Sequence, residues 1–468
     1  MRRYLFVFTV ICLFLLTGCS NSGFDSTYYD QGLSAVQEFR YSDALQAFKK
    51  SINTYPNHTD SYLKAADILI DKGHFIDALE ILQNGIGFAD SEDELYEKIG
   101  EVYFRLRDYD NAELSYSDAL NINSDNQLAI LGRVEIMARK ENFAGLKSYL
   151  ESRAGILDSY EVEIAKAFVF ADDLQKSLEF LDKAENLVSE DEEENFNNIK
   201  GIFEEMKNSD KKETDKFMKL SQIIINEGKP ALALHLLNEI LDKNQTYEGG
   251  YLYKGIVYIL LQKYQEAEEL LKFAVAYNSK LSDSYKYLAI ATYKQDKIDD
   301  AKLYFSLAKQ YSSSIDEDLL YDYYIFVNDI NDEQETINTL NNLIALNSKK
   351  KIDYQLTLAE HYCLSKNLNE QFEQFLNTMK VTEIQSKENL SRYYTNRGCL
   401  AYKKGDLESA KSLIEEAQNL YHGLPQIYYI RALISKSEND EDKKQEYINK
   451  VLDVDLDGEY VKLVNDLI

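Results

Sequence analysis

The chain has 468 residues, which is too long for one compact core, and no Pro/Gly/Ser-rich linker divides it. Only three prolines interrupt a sequence rich in Leu, Ala, Glu, Lys and Tyr, and alternation of apolar and polar residues is scarce, so an all-α fold is predicted. The formal net charge of −28 argues against nucleic-acid binding, because an excess of carboxylates repels a phosphate backbone over most of the surface.

Residues 1–18 have the pattern of a secretory signal peptide, with a basic start at Arg2 and Arg3 and an apolar run too short to predict a spanning helix. The next four-residue motif, Leu16-Thr17-Gly18-Cys19, resembles the lipobox of bacterial lipoproteins. This resemblance implies cleavage before Cys19, diacylglycerol on its thiol, and a short tether over residues 19–24. The alternative is an uncleaved N-terminal anchor.

Cleavage at this site would remove Arg2 and Arg3 and leave a net charge of −30. We therefore expect an exported protein that is lipid-anchored to the outer face of the cell membrane, or to the outer membrane if the organism has one. The acidity is expected to keep a long exposed structure soluble.

A 34-residue period runs through the remaining chain. It separates Ala44 from Ala78 and Ala112, and likewise Ala233 from Ala267 and Ala301. An aromatic residue stands sixteen positions before each alanine, and Gly or Ala stands twelve before most of them. The aromatic residues are Tyr28, Tyr62, Tyr96, Phe217, Tyr251 and Tyr285. This pattern resembles the tetratricopeptide repeat, in which small residues lie where the two helices of a pair approach most closely.

Weaker copies extend the resemblance over almost the whole chain after the tether; near 125–155, for example, the pattern keeps Gly132 and Ala144. The resemblance implies an all-α, right-handed superhelical solenoid of about twelve helix pairs. Residues 459–468 are expected to form a C-terminal capping helix that covers the open face of the last repeat.

The 34-residue period is interrupted once, because Ala184 and Ala233 lie 49 positions apart. The interval contains an acidic run and a helix-like segment that is out of phase with the pairs. We therefore predict an acidic junction helix at 189–210, between an N-terminal stack over 25–188 and a C-terminal stack over 211–458. The acidic run is interpreted as solvated surface and a helix N-terminus rather than a calcium site.

No catalytic or metal-binding pattern is found. The five histidines are scattered without an HExxH motif, no cysteine pair has zinc-ligand spacing, and no glycine-rich phosphate loop occurs. The segment from Asp453 to Gly458 looks like the opening of an EF-hand loop, but position twelve is Val464 rather than a carboxylate. We therefore expect an acidic inter-helix turn there, no cofactor, no metal and no enzymatic activity.

In the repeat frame, Cys363 and Cys399 fall on the first helices of adjacent pairs, at positions that face the groove. A disulfide between them is allowed in an exported protein. The alternative is two separate thiols that behave as small apolar groups.

The resemblance also implies where a partner would bind, because tetratricopeptide arrays bind peptides or protein domains in the concave groove lined by the first helix of each pair. The predicted groove positions are Tyr29, Leu33, Val36, Leu63, Ile70, Phe104, Arg105, Leu252, Ile256, Ile259, Tyr293 and Tyr402. Most of them are apolar, which favours an aliphatic or aromatic partner segment. The alternative is that a tightly wound solenoid buries these side chains against itself.

The Lys and Asn clamp of chaperone-binding relatives is absent, since Tyr29 and Leu33 stand at those positions. The leading hypothesis is a non-catalytic, membrane-anchored scaffold of the bacterial cell envelope that binds partner proteins. The alternative is a surface lipoprotein that captures a glycan or peptide ligand and feeds a transporter. That class carries large insertions between repeats, whereas almost every residue here belongs to the period.

Overall fold

The computed structural model describes residues 26–153, 159–314, 316–365, 369–456 and 458–467. Within these ranges the secondary structure is helical and no strand occurs, which confirms the predicted all-α class. The predicted signal peptide, the motif at 16–19 and the tether at 19–24 lie outside the described residues.

Twenty-six α-helices are found in the described part of the chain. They are α1 Thr27–Gln37, α2 Tyr41–Thr54, α3 Thr59–Asp71, α4 Phe75–Gly85, α5 Glu92–Arg105, α6 Tyr109–Ile122, α7 Gln127–Arg139, α8 Phe143–Ser152, α9 Tyr160–Val169, α10 Leu174–Ala184, α11 Glu193–Asn208, α12 Glu213–Asn226, α13 Leu234–Lys243, α14 Glu248–Leu260, α15 Tyr264–Tyr277, α16 Ser282–Tyr293, α17 Ile298–Tyr311, α18 Glu317–Asp329, α19 Glu333–Ala345, α20 Lys351–Leu364, α21 Asn369–Thr378, α22 Lys387–Lys403, α23 Leu407–Leu420, α24 Pro425–Ser437, α25 Glu441–Val454 and α26 Glu459–Asn465. Short 3₁₀ helices occupy Pro230–Ala233 and Val381–Glu383.

The helices follow one another in pairs, as predicted. Five pairs run from α1–α2 to α9–α10, and seven run from α12–α13 to α24–α25. The two helices outside this scheme are α11 and α26. The count of about twelve pairs is therefore confirmed for the described residues.

Small residues hold the two helices of a pair close together, which is the reason the period is visible in the sequence. Ala78 and Ala267 are completely buried. A methyl group added at Gly255 would lie 2.7 Å from Cγ of Leu271, and one added at Gly100 would lie 2.6 Å from the ring of Tyr116. A glycine on the first helix thus accommodates a large side chain from the second.

The fourth pair departs from the register that the sequence suggested. Ala144 is exposed, and Leu146 occupies the fully buried position instead. The inter-helix turn explains the shift of two residues. Its left-handed residue, Glu141, stands five positions before Leu146, as Gly73 stands five positions before Ala78. A large side chain therefore replaces alanine at this contact, which weakened the sequence signal.

The predicted junction helix exists as α11, and it is an integral part of a hydrophobic core. Its Phe196, Ile199, Phe203 and Met206 are buried in a cluster that runs from α6 to the end of α14. Contacts divide the chain into one unit of residues 91–319 and another that combines residues up to 90 with residues from 320 onward. The α11 helix lies inside the first of these units, so the contacts do not place a boundary at 189–210.

Candidate interaction surfaces

The structure distributes the predicted groove residues over three environments. The buried positions are Ile70, Leu252 and Ile259. Arg105 is exposed. The remaining positions are half-buried: Tyr29, Leu33, Val36, Leu63, Phe104, Ile256, Tyr293 and Tyr402.

In the first pair, Tyr29, Leu33 and Val36 lie on one face of α1, because they are spaced by four and three residues along a helix. All three pack against the small core around Ala35 and Phe48. The Tyr29 ring lies 4.8 Å from the His58 ring, edge to face. Burial lowers the pKa of His58, which favours a neutral imidazole at this apolar surface.

In the third pair, Phe104 of α5 contacts an arginine of the next pair. The Arg139 guanidinium lies over the Phe104 ring at 4.8 Å and is held by Glu135, at 2.6 Å. Arg105 is paired with Glu101 through a contact of 2.8 Å. These two predicted positions thus take part in interactions within the chain.

Between the fourth and sixth pairs, a segment of the chain packs against the first helices of two earlier pairs. The 3₁₀ helix Pro230–Ala233 packs against both α7 and α9. As a result, every residue of α9 from Val162 to Val169 is buried, including the ion pair of Glu163 with Lys166. We name residues 230–243, the 3₁₀ helix together with α13, the filling segment.

Polar contacts hold the filling segment and α14 against the turn between α7 and α8. Glu141 accepts hydrogen bonds from the Tyr258 hydroxyl at 2.7 Å and from Asn238 Nδ2 at 3.1 Å. Burial and the neighbouring Glu141 carboxylate raise the pKa of Tyr258, so the phenol stays protonated as a donor. The alternative of self-burial, which the sequence left open, therefore applies to this part of the array.

Cys363 of α20 and Cys399 of α22 form a disulfide, with their Cα atoms 6.0 Å apart. Both cysteines are buried, so they do not line an open groove. Beside them, Lys403 donates hydrogen bonds to the carbonyl oxygens of Tyr362 and Ser365 at the end of α20, and burial lowers the pKa of Lys403. The disulfide thus links the first helices of two adjacent repeats.

The acidic segment that looks like an EF-hand has structural contacts instead. Asp453 Oδ1 accepts hydrogen bonds from Ser42 and Lys72, and Asp455 accepts one from the backbone N–H of Val461 in α26. Among the residues that the structure describes, no cluster of His, Cys, Asp and Glu has the geometry of a metal site.

Two further grooves lie between the second helices of successive pairs. The sequence did not predict them. One lies over α3, between α2 and α4, has a volume of about 420 Å³ and is lined by Lys49, Tyr62, His74 and Asp77 among others. The other lies over α24, between α23 and α25, has a volume of about 230 Å³ and is lined by three cationic side chains. A regular period predicts packed repeats and carries no signal for a gap between second helices.

Two segments of the chain, residues 93–126 and 391–421, match the family model described as the tetratricopeptide repeat. These two segments have the pattern of tetratricopeptide repeats. The matched segments correspond to pairs α5–α6 and α22–α23. No curated protein shows significant sequence similarity to the chain.

Several solved structures resemble the chain at low identity. The Cut9–Hcn1 hetero-tetramer of the APC/C has a TM-score of 0.35 and 12% identity, with 92% of this chain and 93% of that chain covered. YrrB, described as a tetratricopeptide repeat protein with an unusual peptide-binding site, has a TM-score of 0.28 and 13% identity, with 50% and 98% covered. A tetratricopeptide repeat protein from Parabacteroides merdae ATCC 43184 has a TM-score of 0.29 and 12% identity, with 65% and 96% covered.

Over the described ranges, no helix combines the length and apolar character needed to cross a membrane.

Proposed function

We propose that this chain is a non-catalytic scaffold of the bacterial cell envelope, which binds protein partners and is held at a membrane by a lipid on Cys19. The observation that carries the proposal is the array of twelve helix pairs, two of which match the tetratricopeptide repeat. Such repeats build protein-interaction scaffolds, because stacked pairs present a continuous surface of first-helix side chains.

The structure favours the first pairs as the binding region. Tyr29, Leu33 and Val36 of α1 are half-buried, and so is Leu63 of α3. By contrast, the 3₁₀ helix of the filling segment packs against α7 and α9. A partner segment with aliphatic or aromatic side chains would bury the remaining apolar surface of α1 and α3.

Site-specific crosslinking in the native cell tests this proposal. A photoreactive residue at Leu33 should capture a protein of the envelope, identified by mass spectrometry. The matched control carries the same residue at Leu114, which is exposed on the second helix α6. Equal capture at both positions, or recovery of an oligosaccharide and no protein at Leu33, would contradict the proposal; the second result would favour the ligand-capturing alternative.

The anchor is tested separately, since it depends on the motif Leu16-Thr17-Gly18-Cys19 alone. A radiolabelled fatty acid should be incorporated into the wild-type protein and not into the Cys19→Ala variant, which should also leave the membrane fraction. The lipid interpretation fails if the variant still fractionates with membranes through an unmodified, cleaved N-terminus.

A further inference from the structure

The groove over α24 concentrates positive charge in an acidic protein. Lys411 of α23, Arg431 of α24 and Lys443 of α25 line it together with one carboxylate, Glu438, and its apolar lining consists of Ile414 and Ile434. The net charge of the whole chain is −28, so a groove of about 230 Å³ that is lined by three cations and one carboxylate departs from the rest of the sequence. Such a groove attracts an anion.

The three cations are not equivalent. Lys411 forms an ion pair with Glu438, and Lys443 lies 2.9 Å from Asp440. No carboxylate of the described residues lies within ion-pair distance of Arg431. Its Nη1 donates to the Tyr447 hydroxyl at 3.1 Å, and its Nε is buried without an acceptor. Arg431 therefore keeps unused donors beside the groove.

A second arginine at the same repeat position provides a comparison, because its guanidinium makes hydrogen bonds only within the chain. Arg397 stands 34 residues before Arg431, and each lies over a tyrosine ring at 5.4 Å. Every nitrogen of Arg397 donates a hydrogen bond, to the Tyr393 hydroxyl, the Asn377 side chain and the Leu376 carbonyl. Arg133 of α7 resembles Arg431, since its Nε is also buried without an acceptor and it lies over the Tyr149 ring at 4.5 Å. What distinguishes Arg431 is its position in a groove that Lys411 and Lys443 also line.

We infer that this groove binds a carboxylate carried by a protein partner, as on a glutamate side chain. The guanidinium is a planar group that donates two parallel hydrogen bonds to a carboxylate. Ile414 and Ile434 provide an apolar floor for a short aliphatic stem. The volume is below that of usual cofactor sites, which fits a single side chain.

The inference rests on the proposed function in one respect, namely that the partner is a protein. It concerns a different surface, since none of the residues that line the groove over α24 belongs to α1 or α3. Crosslinking at Leu33 does not depend on Arg431. Capture of a protein there, together with no response at Arg431, would remove this inference and leave the proposed function standing.

Arginine Nε signals in NMR spectra provide the test, because only nine arginines follow Cys19. The full chain, purified in detergent and labelled with ¹⁵N at arginine, is titrated with the blocked tripeptide Ala-Glu-Ala, with its Ala-Gln-Ala counterpart, and with inorganic phosphate at equal ionic strength. We expect Ala-Glu-Ala to shift the Arg431 signal, and Ala-Gln-Ala to leave it unchanged. The Arg431→Gln variant assigns that signal and should bind about 10-fold more weakly or worse.

The matched control is Arg397→Gln, with circular dichroism to verify that both variants fold. It should leave the affinity for Ala-Glu-Ala unchanged, because each nitrogen of Arg397 already donates within the chain and Arg397 does not line the groove. Equal shifts with the Glu and Gln peptides, or a response to phosphate without one to Ala-Glu-Ala, would overturn the inference. The same holds if Arg431→Gln folds and binds as tightly as the wild type.

Discussion

In several repeats, a tyrosine hydroxyl of the first helix donates a hydrogen bond to a backbone carbonyl in the turn before that helix. Tyr62 donates to the carbonyl oxygen of Pro56 at 2.9 Å, and the same bond, six residues back, recurs in later pairs. The other donors are Tyr251 to Gln245, Tyr285 to Ser279 and Tyr428 to His422, at 3.0 to 3.2 Å. This bond gives a physical reason for tyrosine at a position where the period requires only an aromatic ring.

Removing one of these hydroxyls should destabilise the protein measurably. Tyr62→Phe keeps the buried ring and loses the bond to Pro56, so we expect the free energy of unfolding in urea to fall by about 0.5–1.5 kcal/mol. The matched control is Tyr96→Phe, at the same repeat position in a pair where the structure records no such bond. A loss of equal size in the control would show that the ring environment, and not the hydrogen bond, is responsible.

His235 makes the filling segment sensitive to pH. Its Nδ1 lies 2.7 Å from the Leu232 carbonyl, its ring contacts Phe143, and burial lowers its pKa to about 4. The unfolded chain has an ordinary histidine pKa of about 6.5 and so binds the proton first on acidification. The stability associated with neutral His235 is thus present above about pH 6.5 and is lost as the pH falls towards 4.

We therefore expect the wild type to lose stability between pH 6.5 and 4 more steeply than His235→Gln, by up to about 1.4 kcal/mol per pH unit. Urea unfolding at a series of pH values measures the difference. His74→Gln, a substitution at an exposed histidine, should follow the wild-type curve. Parallel curves for wild type and His235→Gln would contradict the assignment.

The sequence predicted the type of residue at positions that the repeat constrains. It did not predict the contacts that those side chains make. The aromatic position of Tyr62 followed from the 34-residue period, because an aromatic residue recurs there in six repeats. Its hydroxyl bond, the burial of Cys363 and the unused donors of Arg431 depend on distances to backbone and neighbouring repeats. Those distances are set by packing, which the period alone does not encode.

At the scale of the helix pair, most of the described inter-helix turns use one left-handed residue, although the turn between α9 and α10 has none. In most pairs this residue stands five positions before a buried side chain, as with Gly73 before Ala78 and Gln262 before Ala267. The next residue donates its N–H to a carbonyl five residues earlier, for example from Lys263 to Tyr258 at 2.8 Å. This arrangement closes the end of the first helix and starts the second.

Because left-handed backbone is costly for residues with a Cβ, the turns differ in stability. Gly73→Ala should lower the free energy of unfolding by about 1 kcal/mol, and Gln262→Gly should raise it by up to about 1 kcal/mol. Gln262 is exposed, so its side chain contributes little packing. Thermal or urea unfolding compares the variants. Changes of the same sign at both positions would mean that side-chain contacts outweigh the backbone effect.

The disulfide between α20 and α22 is a constraint on two first helices that are separated by α21. Closing a loop of 36 residues removes conformational freedom from the unfolded chain. In the chain-entropy description, Cys363→Ala with Cys399→Ala should lower the free energy of unfolding by about 4 kcal/mol. Reductant should destabilise the wild type and leave the double variant unchanged. Detection of both thiols as alkylated after denaturation without reductant would contradict the bond.

Helices were predictable as elements, and their grouping was less so. The out-of-phase segment near 189–210 was predicted as a helix because it interrupts the period, and α11 is that helix. Its buried Phe196 and Phe203 belong to the core that runs from α6 to the end of α14, a packing that the interruption of the period did not predict. Leu146 in the fourth pair illustrates the other difficulty, because a large residue at a small-residue position hides the register.

At the scale of the whole molecule, one compact unit combines the beginning and the end of the described chain. Within it, α2 contacts α25, and the Phe39 ring lies 5.4 Å from the Tyr421 ring. The sequence period predicts contacts between adjacent pairs and contains no signal for residues that lie several hundred positions apart. This contact is therefore the feature of the fold that the sequence least anticipates.

Asp453 is the polar centre of that contact. Its Oδ1 accepts hydrogen bonds from the Ser42 amide and hydroxyl, both at 2.8 Å, and from Lys72 Nζ at 3.0 Å. Asp453→Asn removes the charge that faces the N-terminus of α2 and Lys72, so we expect a loss of about 1–3 kcal/mol and faster hydrogen exchange in α2. Asp442→Asn, exposed on the same helix α25, should change neither. Unchanged exchange in α2 of the Asp453 variant would mean that apolar contacts such as Phe39 with Tyr421 hold the two ends together without it.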